Sequence, residues 1–217
     1  MKVRKLLLLH FRTTLRESMF VFVMIGLLFW AFLSNESVST FLESRSLFQF
    51  YSLFTMMLVG YAIIVSVSFA GFLKRKTSKF YHLYMLFPEK PSRFLFVEML
   101  PTFTIALLSA WGVGVLLYHR APSPLWLIMP ILGSALFTWG LGMLSLALTL
   151  QVSNVRALNT ILFLLIFVLA RIPKYVAREG LSLDLATEIL MVISVLVALV
   201  GSLALERVNP ERIILSS

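Results

Sequence analysis

The chain has 217 residues, 59% hydrophobic and 13% charged, against roughly half apolar and a quarter charged in a soluble domain. A chain this size has no interior large enough to hide that excess, which excludes a water-solvated globule and makes lipid the main solvent. The absence of cysteine excludes disulfides, thiolate chemistry and cysteine metal sites, and the formal charge of +9 fits basic loops facing anionic lipid better than nucleic acid.

The first seventeen residues carry a short apolar run, Leu6 to Leu9, interrupted by His10, Arg12 and Arg16, with no small-residue cleavage site, so they do not read as a signal peptide. Leu7, Leu8, Phe11 and Leu15 share one helical stripe while Lys5, Arg12 and Arg16 gather on another. The pattern predicts an amphipathic helix lying along the inner leaflet over 1–17.

Six apolar runs follow, at about 18–33, 47–73, 94–117, 125–150, 155–170 and 189–205. A hydrocarbon core needs about 20 helical residues. The second, third and fourth runs are long enough. The first, fifth and sixth are short. The expected fold is all-α: one transmembrane domain over 1–217, a polytopic bundle of about six spans with the N-terminal interfacial helix. Small residues recur at every fourth position in several runs. They include Ala62, Ser66 and Ala70; Thr102, Ala106, Ala110 and Gly114; Ser134, Thr138 and Gly142; and Ser194, Ala198 and Ser202. That spacing keeps each set on one helix face, where backbones can approach closely.

The connecting segments predict the orientation. With the N-terminus inside, fourteen Lys and Arg fall on the inner side and five on the outer. The positive-inside rule then puts both termini in the cytoplasm of a multi-pass plasma-membrane protein. The segment 171–188 is too polar to span. Ile172, Tyr175 and Val176 are placed to touch the membrane and Lys174 and Arg178 to stay wet, as an outer loop or a re-entrant piece.

The most basic connection, 74–93, reads KRKTSKFYHLYMLFPEKPSR. Phe80, Leu83, Tyr84 and Phe87 follow the i, i+3, i+4, i+7 rule and line one face of a short helix over 78–87. Pro88 stops it, and Pro91 begins the approach to the third span. An aromatic face ringed by Lys and Arg suits docking into a groove on another protein. It equally suits lying on lipid headgroups, and periodicity leaves both open.

The run LYMLFPEKPSRFLFVEML resembles the loop after the second span of type-2 ABC transporter permeases: two leucines, a short gap, a proline, then Ser and Arg and a hydrophobic entry to the third span. Here those positions are Leu83, Leu86, Pro88, Ser92 and Arg93. The layout of a basic N-terminal helix, six spans and short loops is similar to that family too. Two positions depart from it. Lys76, Thr77 and Ser78 stand where many members carry Glu-Gly-Thr, and Glu98 stands near the start of span three where many carry a lysine.

The resemblance implies that 78–87 is a coupling helix, with Phe80, Leu83, Tyr84, Leu86, Phe87, Pro88 and Arg93 docking a separate cytoplasmic ABC ATPase subunit. It implies a second permease chain, identical or paralogous, and ATP and Mg bound on the ATPase, with no cofactor in this chain. No G-x-x-x-x-G-K-[ST] loop is present to hold phosphate here.

Catalytic groups are sparse. His10, His82 and His119 all lie outside the apolar runs, no H-E-x-x-H occurs, and the single aspartate is Asp184. The expectation is therefore a non-enzymatic subunit. Glu98 is the one acid inside an apolar run, which makes it a functional candidate by cost alone. A structural role, paired at headgroup depth with Arg93 or another basic residue of the loop, is the cheaper reading. Beside the exporter subunit stand two alternatives: a secondary carrier or channel using Glu98, and a non-transporting membrane scaffold or assembly factor.

Overall fold

The computed structural model describes residues 11–12, 44–82, 91–118 and 123–208. The predicted first span at 18–33 and all but two residues of the predicted N-terminal helix lie outside them. Phe11 and Arg12 are helical, with Phe11 packed on the main apolar cluster and Arg12 exposed.

The described residues are almost all helical, with no strand among them. Helix α1 (Arg45–Ile63) passes through a π-helical turn (Ile64–Ser68) into α2 (Phe69–Thr77). Helix α3 runs Pro91–Tyr118, and a 3-10 turn (Pro124–Leu127) leads into α4 (Ile128–Gln151). Helices α5 (Val155–Leu169), α6 (Ile172–Arg178) and α7 (Leu183–Glu206) complete the order. Four stretches are long and apolar enough to cross a membrane: Arg45–Thr77, Ser92–Leu117, Pro124–Gln151 and Leu183–Glu206. The protein is accordingly a helical membrane protein.

Two predicted edges move. The second run was expected to end at 73, yet the helix continues to Thr77, carrying Lys74, Arg75 and Lys76 in its last turn. Cations are favourable there because they face the negative end of the helix dipole. The sixth run was expected from 189, yet α7 begins six residues earlier. Ser182 caps it, its Oγ accepting from the Leu185 amide at 3.3 Å, and Asp184 lies in the first turn, where an acid suits the positive end. Most of the polar stretch 171–188 is thus helix. Val176 is buried and Ile172 packs beside it, while Lys174 and Tyr175 are exposed.

The fifth run forms α5, of 15 residues. At about 1.5 Å per residue it is shorter than a hydrocarbon core of about 30 Å. Asn154 starts it by accepting from the Ala157 amide at 3.1 Å. Its middle is tied to α1 by Tyr61, whose hydroxyl donates to the Leu162 carbonyl at 2.7 Å.

The helices alternate in direction, so the bundle has two ends. One apolar cluster unites Phe72, Tyr81, Leu95, Met99, Leu146, Leu150 and Leu205 at the basic end. Another unites Phe50, Leu53, Phe54, Val176, Ala186 and Leu190 at the opposite end. The largest, with Phe48, Met56, Tyr61, Ile64, Ile105, Ala110 and Leu141, fills the space between α1, α3 and α4. Outward-facing side chains such as Leu108, Val115, Ile161, Val192 and Leu199 are exposed and apolar, as a lipid-facing surface requires.

Small residues set the helix approaches. Thr102, Ala106 and Ala110 are buried in α3 as their spacing predicts. In α4, Ser134 and Thr138 are fully buried, and Thr138 lies directly against Gly60 of α1. The closest approach uses two glycines that the four-residue stripes did not include. Gly140 of α4 and Gly201 of α7 meet backbone to backbone, so that a Cβ on either would overlap main-chain atoms of the other helix.

Candidate functional site: the basic end of the bundle

At the end of α2 the chain must reverse, and its last carbonyls need donors. Thr77 Oγ1 donates to the Leu73 and Lys74 carbonyls at 3.1 and 3.0 Å, and Ser78 Oγ to that of Arg75 at 3.0 Å. Lys79 takes the left-handed conformation with φ 56°, which costs a non-glycine residue about 1–2 kcal/mol. A 3-10 turn over 80–82 follows, with the His82 amide donating to the Lys79 carbonyl at 3.1 Å. The reversal drives Tyr81 back into the bundle, where it is 1% exposed.

Three charged side chains converge beneath this turn. Glu98, one residue past the second turn of α3, is 2% exposed. Its Oε1 lies 2.7 Å from Arg75 Nε and accepts from the Tyr81 hydroxyl at 2.8 Å. The Arg75 guanidinium also sits over the Phe72 ring, 5.5 Å from its centre. Beside them Lys76 is 3% exposed. Its Nζ donates to the Thr149 and Val152 carbonyls at 2.8 and 2.7 Å, meeting two of the orphan acceptors at the end of α4.

The cluster therefore ties α2, the turn, α3 and the end of α4 into one unit. Every charge in it faces an opposite charge or a helix-end carbonyl, which is what burial at the membrane boundary demands. Glu98 is paired with a base of the basic segment, and that base is Arg75.

Burial pushes the Tyr81 hydroxyl well above the ordinary tyrosine range, and the Glu98 carboxylate pushes it further while Arg75 offsets part of the rise. A raised folded-state value stabilises the fold fully below the ordinary tyrosine value of about 10 and loses that contribution as pH climbs above it. We predict that the protein loses stability on going above about pH 10. Tyr81→Phe should flatten part of that loss, read as the midpoint of unfolding in detergent against pH.

Of the predicted docking residues, Phe80 is half-buried. It lies edge-on to Tyr81, ring centres 6.2 Å apart at 74°, and packs on the cluster at this end. Arg93 is exposed in the first turn of α3, which starts at Pro91. Leu83, Tyr84, Leu86, Phe87 and Pro88 lie outside the described residues. Ser78 and Lys79 form a turn.

Sequence reasoning missed Arg75, Lys76 and Tyr81. The available signal was spacing: Lys76 stands four residues after Phe72, hence on the same buried face of a helix that had not yet ended. No nucleophile–base pair is formed here, since the carboxylate is engaged by Arg75 and Tyr81. Among the described residues no three His, Cys, Asp or Glu are gathered as a metal site. The arrangement holds three helices and a turn in fixed relation. Comparison of the chain with protein-family models, with curated proteins and with solved structures found no match.

Proposed function

We propose that the chain is the membrane-spanning permease subunit of an ATP-driven ABC exporter, with about six spans and both termini in the cytoplasm. The connection after span two receives force from a separate ATPase subunit, which binds the ATP and Mg. Two permease chains, identical or paralogous, enclose the path.

One observation carries this reading: the residues entering the basic connection lock the end of α2 to two other helices. Arg75 and Tyr81 hold Glu98 of α3, and Lys76 holds the end of α4. A push on 78–90 is delivered to all of them together, as a coupling element requires. The engagement of Glu98 by Arg75 and Tyr81 favours the coupling reading over the carrier alternative.

The test is co-purification. Full-length chain expressed with its genomic neighbours should bring down a phosphate-loop ATPase, and deletion of 83–87, which keeps Phe80 and Tyr81 in the cluster at this end, should release it. Transport by the chain alone in proteoliposomes, or an ATPase retained after the deletion, would refute the proposal.

A further inference from the structure

We infer that a groove between α3, α4 and α7 at the basic end binds a phospholipid with a primary-amine zwitterionic headgroup, a phosphatidylethanolamine. The groove has a volume of about 500 Å³, within the roughly 300–1,000 Å³ of ordinary ligand sites. Its walls are apolar, made by Phe96, Val97, Trp139 and Met143. The Trp139 ring is held in place: Phe96 and Phe103 meet it edge-on, each at 5.1 Å, and its Nε1 donates to Ser202 Oγ at 3.4 Å. A fixed indole wall beside an open slot suits an acyl chain.

The mouth supplies the headgroup specificity. Arg93 on α3 and Glu206 on α7 line the same groove and are both exposed. Arg93 is the second residue of the stretch Ser92–Leu117 and Glu206 the last of Leu183–Glu206, so both stand where the span meets the headgroups. A guanidinium matches a phosphodiester, offering two parallel N–H donors. A carboxylate matches an ammonium that can donate to it. Phosphatidylethanolamine presents both groups on one headgroup. Phosphatidylglycerol offers no cation to Glu206, and phosphatidylcholine offers a cation without N–H donors. This inference stands independently of the exporter proposal.

The experiment uses the full-length chain in detergent, titrated with ethanolamine, glycerol and choline phospholipids of identical acyl chains and read by native mass spectrometry and by thermal shift. The ethanolamine lipid should bind about threefold more tightly than either of the others, the scale of one exposed ion pair. Glu206→Gln should erase its advantage over the glycerol lipid, Arg93→Gln should weaken both, and Val97→Trp, which fills the slot, should weaken all three. Melting of each variant in lipid-free detergent checks its fold. Equal binding of the three lipids to the unaltered chain, or an ethanolamine preference surviving in Glu206→Gln, would overturn the inference. The ranking on the unaltered chain decides even if a variant fails to fold.

Discussion

Arg75→Gln is expected to cost about 3–4 kcal/mol of stability, the range for breaking a buried ion pair by removing one partner. Glu98→Gln is expected to cost less. The asymmetry follows from access. The Glu98 side chain is 0% exposed and that of Arg75 is 18% exposed. A deserted guanidinium can extend toward the headgroups on its long stem, but a deserted carboxylate cannot leave. Tyr81 alone would then face it across 2.8 Å. The measurement is a double-mutant cycle on unfolding in mixed micelles. Replacing both residues by methionine should recover most of the loss, because an apolar pair is no worse than an ionic one in such a site. Additive losses would mean that the two side chains act independently and that the junction is not a unit.

The second large effect is steric. Gly201→Ala is expected to cost about 3 kcal/mol, the upper part of the range for overpacking. The added methyl meets the carbonyl of Gly140, which is main chain and cannot rotate away. Helices α4 and α7 must separate along the crossing, and Gly140→Ala should behave alike, since its Cβ meets main-chain atoms of Val197 and Ala198. Gly112→Ala is the control. Nothing lies within 4 Å of its added Cβ, so it should be neutral or gain up to about 1 kcal/mol of helix propensity. Equal effects at 201 and 112 would show that the crossing does not depend on backbone contact.

The long apolar runs were legible because the solvent acts on average composition: α1–α2, α3, α4 and α7 all lie where hydropathy put them. The edges were not, because a charge at a helix end can stay in the helix once it finds a partner. Arg75 and Lys76 read as loop until Glu98 and the carbonyls of Thr149 and Val152 are seen beside them. Glu98 was conspicuous as a lone acid in an apolar run, whereas Arg75 was hidden among neighbours of the same charge. Spacing of four identified small faces in several spans, but it does not say which face meets which helix. Gly140 and Gly201 therefore became visible only when α4 and α7 were placed together.

The π-helical turn at Ile64–Ser68 fixes the phase of everything after it. Such a turn takes up one residue more than α-helical winding, and each residue of an α-helix advances about 100° around the axis. Without the extra residue, Arg75 and Lys76 would swing about that far around the helix and miss Glu98 and the end of α4. The number of residues between Arg45 and Thr77 is therefore constrained more tightly than their identities: many apolar exchanges leave the angular setting intact, and a single insertion or deletion resets it.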